Sequence, residues 1–199
     1  MSDDIDGLVA AITSKRQIQL PQFLRSVSGS EALSAELVTV LSALDVSAPL
    51  LVSGVSQSKA VCSDLQVEGA ERVVVSDNTR AEVARIAAAC QGRDVVIAVG
   101  GGRPIDVAKS AALLADLPVI VIPTQLSADG IASPISVIAE GPSEVVSERS
   151  ALPVAVLADL ETIVAAPIGF ARAGVGDLIS NRTALVDWQL AADAGEEVV

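Results

Sequence analysis

The chain has 199 residues, 51% apolar and 19% charged, so it can bury a core and is not a disordered polymer. Lys and Arg number 13 against 25 Asp and Glu, a net charge of −12 that argues against nucleic acid and anionic membrane surfaces as partners. Histidine is absent, so this chain alone assembles no Ser-His-Asp triad, no histidine general base and no histidine-ligated metal.

At the N-terminus, Met1-Ser-Asp-Asp-Ile-Asp6 lacks the basic region and apolar run of a secretion signal. No apolar run reaches membrane-span length either, so a cytoplasmic chain without membrane insertion is expected. Ile18 to Phe23 reads as a short strand or as a turn around Pro21. Ser28-Gly-Ser30 offers an N-cap for a helix over Glu31 to Leu44, with Leu33, Leu37, Val40, Leu41 and Leu44 on one face. Pro49 to Gly54 is the first expected parallel strand and its turn. Ser53, Gly54, Ser56 and Ser58 suit either the lining of a ligand cleft or the closing of a turn. A short helix over 56–66 and a strand from Arg72 to Ser76 follow. Asp77-Asn-Thr79 then caps a helix from Arg80 to Cys90, with Val83, Ile86, Ala87 and Cys90 buried. Next come strand 95–99, helix 104–115 and strand 118–122. Residues 135–139 and 153–157 read as two further strands, with Glu140 to Ser150 a polar connection, and from Leu160 the sequence turns helical and Ala-rich. Cys62 and Cys90 lack metal-ligand spacing and read as small apolar side chains. Strands and helices alternating at this length predict an α/β fold. The expected sheet is parallel, doubly wound, of about five or six strands between roughly residues 49 and 158, with helices on both faces.

The most telling stretch is Val95-Val-Ile-Ala-Val-Gly-Gly-Gly-Arg-Pro-Ile-Asp-Val-Ala-Lys109. Five apolar residues make a strand buried on both faces. Gly100, Gly101 and Gly102 then remove every Cβ from the turn, and Pro104 sits in the first turn of the next helix, where its missing N–H costs nothing. Backbone can approach a ligand closely here, and the free N–H groups of the helix start form an anion cradle suited to a dinucleotide pyrophosphate. A tight strand-to-helix turn that binds nothing is the alternative. Gly-x-Gly-x-x-Gly is not present, because residues 103 to 105 are Arg-Pro-Ile.

A second informative stretch is Pro123-Thr124-Gln-Leu-Ser127-Ala-Asp129-Gly130-Ile-Ala-Ser133-Pro134, with three hydroxyls and one carboxylate; as composition alone it is a polar loop. Farther on come Ala173-Gly174-Val-Gly176-Asp177-Leu-Ile-Ser-Asn181 and Asp187-Trp188-Gln-Leu-Ala191. Asp177 by spacing is a helix N-cap after Gly176, and Trp188 a core residue.

Taken as ordered strings, these residues carry a resemblance. Gly100-Gly-Gly-Arg-Pro-Ile-Asp106-Val-Ala-Lys109 resembles the cofactor loop of the iron-containing alcohol dehydrogenase and dehydroquinate synthase superfamily. Pro-Thr-x-x-Ser-x-Asp-Gly-Ile-x-Ser-Pro from Pro123 to Pro134 is similar to one branch, the sn-glycerol-1-phosphate dehydrogenases, as are the strings around Asp177 and Trp188. The likeness runs from about Leu50 to Ala191. It implies an NAD(P)-binding α/β domain over 1–158 and, over 159–199, the start of an α-helical metal and substrate domain. It implies interconversion of dihydroxyacetone phosphate and sn-glycerol 1-phosphate with NAD or NADP and a bound metal, usually zinc. By position, Gly100, Gly101, Gly102, Arg103, Pro104 and Asp106 match the cofactor loop, and Thr124, Ser127 and Ser133 match cofactor contacts. Asp129 matches a substrate contact, and Asp177 a metal ligand that also lies against the substrate, the one catalytic position the resemblance assigns. Two departures stand out: Ala128 replaces a residue that is usually polar, and the histidines that complete the family's metal site have no counterpart. A truncated and inactive dehydrogenase, a stand-alone dinucleotide-binding remnant, and a subunit completed in trans or by self-association are the readings this leaves open.

Overall fold

The computed structural model describes residues 20–195 apart from Ser56 and Pro142. Its centre is a six-stranded parallel sheet. In chain order the strands are β1 (Phe23–Val27), β2 (Pro49–Ser53), β3 (Glu71–Val74), β4 (Val95–Gly100), β5 (Val119–Pro123) and, after a hairpin, β8 (Ala155–Asp159). Across the sheet they lie in the order β1-β8-β5-β4-β2-β3. The expected fold class is correct: β4 is interior and parallel to both β2 and β5.

Alternation along the strands explains why helices cover both faces. Leu50, Val52, Val96, Ala98, Val119, Val121 and Val156 pack on one face against helices α3 (Arg80–Ala89) and α4 (Gly102–Ala115). Leu51, Val95, Ile97, Val99, Ile120, Ile122 and Leu157 pack on the other against α1 (Ser30–Ala43) and the segment from α2 (Gln57–Asp64) to Leu65. A strand buried on both faces needs apolar residues almost throughout, and β2, β4 and β5 have them except at Ser53, buried at the end of β2.

Three sequence expectations about the fold need correction. First, the sheet starts at residue 23, not 49. Ile18 lies outside the described residues, and the strand begins two residues past Pro21 and runs to Val27, paired in parallel with β8. It was hard to see because it is an edge strand with Leu24, Arg25 and Ser26 exposed, so no buried pattern marks it. Second, Glu140 to Ser150 is not merely a connection. It contains β7 (Val145–Arg149), antiparallel to β6 (Ile135–Ala139), in a separate two-stranded sheet. Arg80 at the start of α3 ties this hairpin down through ion pairs to Glu140 and Glu148.

The N-cap of α1 is Gly29, at φ 93, without a side-chain cap, so the expected serine cap does not form. The amide of Gly29 instead donates to Asp159 Oδ1 at 2.8 Å. Asp159 also caps α5 (Leu160–Ala165), accepting from the amides of Glu161 and Thr162, and so ties the β1–α1 turn to the end of β8. Burial opposes its ionisation, but the Thr162 hydroxyl and the amides of Gly29, Glu161 and Thr162 outweigh that and hold its carboxyl below the usual aspartate range. Asp159→Ala should therefore cost about 2 kcal/mol in urea unfolding at pH 7. Because the folded-state pKa is depressed, this contribution is fully present above about pH 4 and fades as the pH falls toward the folded value, so wild type and variant should converge there.

Candidate functional site

The strand order reverses between β2 and β4: the chain leaves β2 for β3 on one side and returns to β4 on the other. The segments that leave these strands diverge to opposite faces, α2 below and α4 above, and a cleft of about 510 Å³ opens at the carboxyl ends. Gly54, Val55, Gln57 and Ser58 line it after β2, and Val75 and Ser76 after β3. Gly101, Gly102, Arg103 and Pro104 follow β4, Thr124 and Gln125 follow β5, and Pro167 and Phe170 form an outer wall. A larger depression, about 630 Å³ beside Leu65 and Arg72, has no strand ends or glycine turn, and its Arg72 is already bonded to the carbonyls of Cys62 and Leu65.

Each glycine of the turn has its own part. Gly100 has φ 152, and a Cβ there would overlap the Pro104 ring and lie 3.2 Å from Ser58 Cβ. Gly101 caps α4 without a side-chain hydrogen bond, and a Cβ would meet the movable Gln125 amide. Gly102 has nothing within 4 Å of where a Cβ would project, on a residue that lines the cleft. The helical ladder begins with the Ile105 amide donating to Gly101 O, so the amides of Gly102 and Arg103 precede it. The amide of Thr124 donates to Gly100 O at 2.9 Å and brings β5 against the turn. Ser58 is buried and packs under Gly54 and Gly100, which makes it part of the closed turn; Ser56 lies outside the described residues.

Of the residues singled out in the sequence, Gly101, Gly102, Arg103, Pro104 and Thr124 therefore share one cleft, with Gly100 beneath it. Asp106 does not line it. Its carboxyl is directed toward the loop after β5, 3.9 Å from Lys109 Nζ and near Gly130. Burial pushes this carboxyl up, and the charge of Lys109 draws it partly back. Ser127 and Ser133 stand on that loop outside the cleft lining.

Asp129 and Asp177, 48 residues apart, are brought together. Asp129 opens a short 3-10 turn, Asp129–Ile131, and its amide donates to Asp177 Oδ2 at 2.7 Å. Asn181 Nδ2 donates to Asp129 Oδ2 at 3.0 Å. Asp177 is not the helix N-cap that spacing suggested: it lies inside α6 (Ile168–Asp193). Gly174 permits the approach, since a Cβ would stand 2.6 Å from Leu126 O. Trp188 is not core but 54% exposed. No residue of α6 is buried, and Leu178, Ile179, Leu185 and Leu190 project outward.

Sequence reasoning gave no part to Lys109. It is fully buried, with its Nζ donating to Gly130 O at 2.6 Å and to Ile135 O. The available signal was its position among Val107, Ala108, Ala111 and Ala112, in a run of the helix where only Asp106 and Ser110 are also polar.

A glycine turn, a helix start and flanking strand ends at the reversal point of a parallel sheet define a doubly wound α/β protein with an open crevice at its carboxyl edge. The comparisons with known proteins narrow this. Residues 28–167 match the model of the iron-containing alcohol dehydrogenase family, and the chain belongs to that family. It is similar to glycerol-1-phosphate dehydrogenase [NAD(P)+] of Methanothermobacter thermautotrophicus, 44% identical over 135 residues that cover 67% of this chain and 39% of the relative. To the enzyme of the same description from Thermococcus kodakarensis it is 37% identical over 186 residues, covering 89% and 53%. Among solved structures, a probable glycerol dehydrogenase from Sinorhizobium meliloti superposes with a TM-score of 0.72 at 25% identity, over 82% of this chain and 46% of that one. The chain thus spans about half the length of the relatives it matches.

The turn's geometry predicts a split among its glycines. Gly100→Ala should destabilise the chain by about 1–3 kcal/mol, from backbone strain and the proline overlap. Gly102→Ala should stay within about 0.5 kcal/mol of wild type. Thermal and urea unfolding of the two variants check this.

Proposed function

We propose that this chain is the dinucleotide-binding portion of a glycerol-1-phosphate dehydrogenase, acting with NAD or NADP on dihydroxyacetone phosphate and sn-glycerol 1-phosphate. The observation that carries the reading is the cleft at the β2–β4 reversal, floored by Gly101 and Gly102 at the start of α4. Its volume is in the range of small-molecule sites, and the open space over Gly102 is where a pyrophosphate meets backbone amides. Arg103 supplies a cation at the rim of a chain that is otherwise strongly acidic. When bound, the nicotinamide supplies the hydride chemistry. The chain's own residues bind and orient: Gly102 and Arg103 hold the phosphates, Thr124 fixes the inner wall, and Pro167 and Phe170 exclude water from one side. Ser127 and Ser133 extend the cofactor site along the loop, with Asp129 and Asp177 at its far end toward the substrate. Asp106 belongs to the support of that loop rather than to the phosphate cradle.

The domain division follows the same reading, with 1–158 as the nucleotide domain and 159–199 as the beginning of a helical one. Zinc does not fit the donors present. No group of three or more His, Cys, Asp or Glu among the described residues is placed to share an ion, and Asp177 Oδ2 already accepts the Asp129 amide. No described helix is long and apolar enough to cross a membrane, which accords with a cytoplasmic enzyme of small phosphorylated substrates.

Titration calorimetry with NAD and NADP tests the reading. Binding should be measurable in wild type, and Gly102→Val, whose side chain enters the cleft without a clash in the protein, should weaken it at least about tenfold. Equal affinity in both proteins would remove the cleft from consideration. Equilibrium dialysis with zinc should give no stoichiometric site, and NAD(P)H oxidation with dihydroxyacetone phosphate should give no turnover that responds to Asp177→Ala.

A further inference from the structure

Residues 124–151 stand apart from the main sheet. After β5 the chain runs through the Asp129 turn and the β6–β7 hairpin, and only then rejoins the sheet as β8. Its seam with α4 is polar: Ser110 and Ser150 have buried hydroxyls without partners, the buried Ser136 stands beside the Asp106 carboxyl, and Lys109 is there as well. One residue makes hydrogen bonds to three separate points of this segment. The Lys109 side chain donates to Gly130 O and Ile135 O, and its carbonyl accepts from the amide of Ala151, which follows β7.

We propose that Lys109 is the positioning residue of the site: from inside α4 it fixes both ends of the segment 130–135 and so holds Asp129 against Asp177 beside the cleft. The proposal rests on the reading of Asp129 as a substrate contact, but the clamp itself can be measured without ligand, metal or turnover. Gly130 follows Asp129 directly, and a Cβ at Gly130 would stand 3.7 Å from Asp106 Oδ1, so the turn lies close over the Lys109–Asp106 pair. Releasing Gly130 O would free the amide of Asp129 from Asp177 and the amide of Ala132 from Asp129 O.

The charge on the clamp gives it a signature that packing alone lacks. Burial lowers Lys109 to about 8, with Asp106 on its own helix and Asp129 on the turn drawing it partly back. β6 and the Ser150–Ala151 step contribute no charged side chain. If opening of the segment exposes Lys109 to water, its pKa returns toward 10.5 in the open form. The closed form then binds fewer protons than the open one between these values, so raising the pH through this window favours closure. The neutral amine keeps two N–H donors for the two carbonyls and carries no desolvated charge.

Hydrogen exchange on the intact chain, corrected for intrinsic rates, tests this at the amides of Asp129, Ala132, Ser150 and Ala151. Protection should rise about tenfold from pH 7 to pH 9 in wild type, while the amides of β4 and β5 do not change. Asp106→Asn should shift that rise to lower pH, because it removes the nearest stabilising charge. Lys109→Met should cut protection of the four amides at least tenfold at pH 9 and abolish the pH dependence. A flat wild-type profile, or Lys109→Met protection equal to wild type, would overturn the proposal. If Lys109→Met fails to fold, the wild-type and Asp106→Asn profiles decide it. Loss of dinucleotide binding in calorimetry with the exchange pattern intact would count against the proposed function and leave the clamp standing.

Discussion

Gly54, Ser58, Gly100 and Pro104 meet at the carboxyl edge of the sheet with no room for another atom. The ring of Pro104 occupies the space that a Cβ on Gly100 would need, and the Ser58 hydroxyl would stand 2.8 Å from a Cβ on Gly54. This contact lets α2 and α4 leave neighbouring strands toward opposite faces and still start side by side. The cleft between them is a consequence: where strand order reverses, the two helix starts cannot fill the space their divergence leaves. The dinucleotide reading therefore depends on backbone geometry, which suits an acidic chain with few cations to offer an anion.

The second half of the site has a different basis. Asp129 and Asp177 meet because Gly174 admits α6 to the Leu126 carbonyl and because Lys109 supports the turn from below. The carboxyls gathered here are both engaged, Asp177 by the Asp129 amide and Asp129 by Asn181, and no third possible metal ligand among the described residues joins them. The Asp129–Asp177 contact stands outside the lining of the cleft, and the apolar residues of α6, the helix that carries Asp177, are exposed.

Much of the fold was legible because interior parallel strands leave an unmistakable trace. β2, β4 and β5 are apolar runs but for Ser53 at the end of β2, and the glycines that begin with the last residue of β4 fall at the carboxyl edge, where parallel sheets bind ligands. The elements that escaped are those whose residues are half in water. β1 exposes its middle, and β7 reads Val-Val-Ser-Glu-Arg with an alternating exposed and half-buried pattern that is also a plausible polar loop. At the site, the residues proposed for the cradle stood out as ordered strings, not by composition. Lys109 did not, because a lysine on a helix ordinarily extends its charge to solvent, and only the largely apolar run around it indicated otherwise. Asp177 looked like a cap because it follows Gly176, but the helix runs through both Gly174 and Gly176. The first of them serves a close approach.

The central claim, that this chain holds a dinucleotide over the Gly101–Gly102 turn, is tested most directly by mapping amide chemical shifts during a titration with NADP. The amides of Gly101, Gly102, Arg103 and Thr124 should move together and saturate with a single affinity, with smaller changes at Gly54 and Val55. Shifts confined to the surface around Leu65 and Arg72, or no saturable change at the glycine turn, would contradict the account.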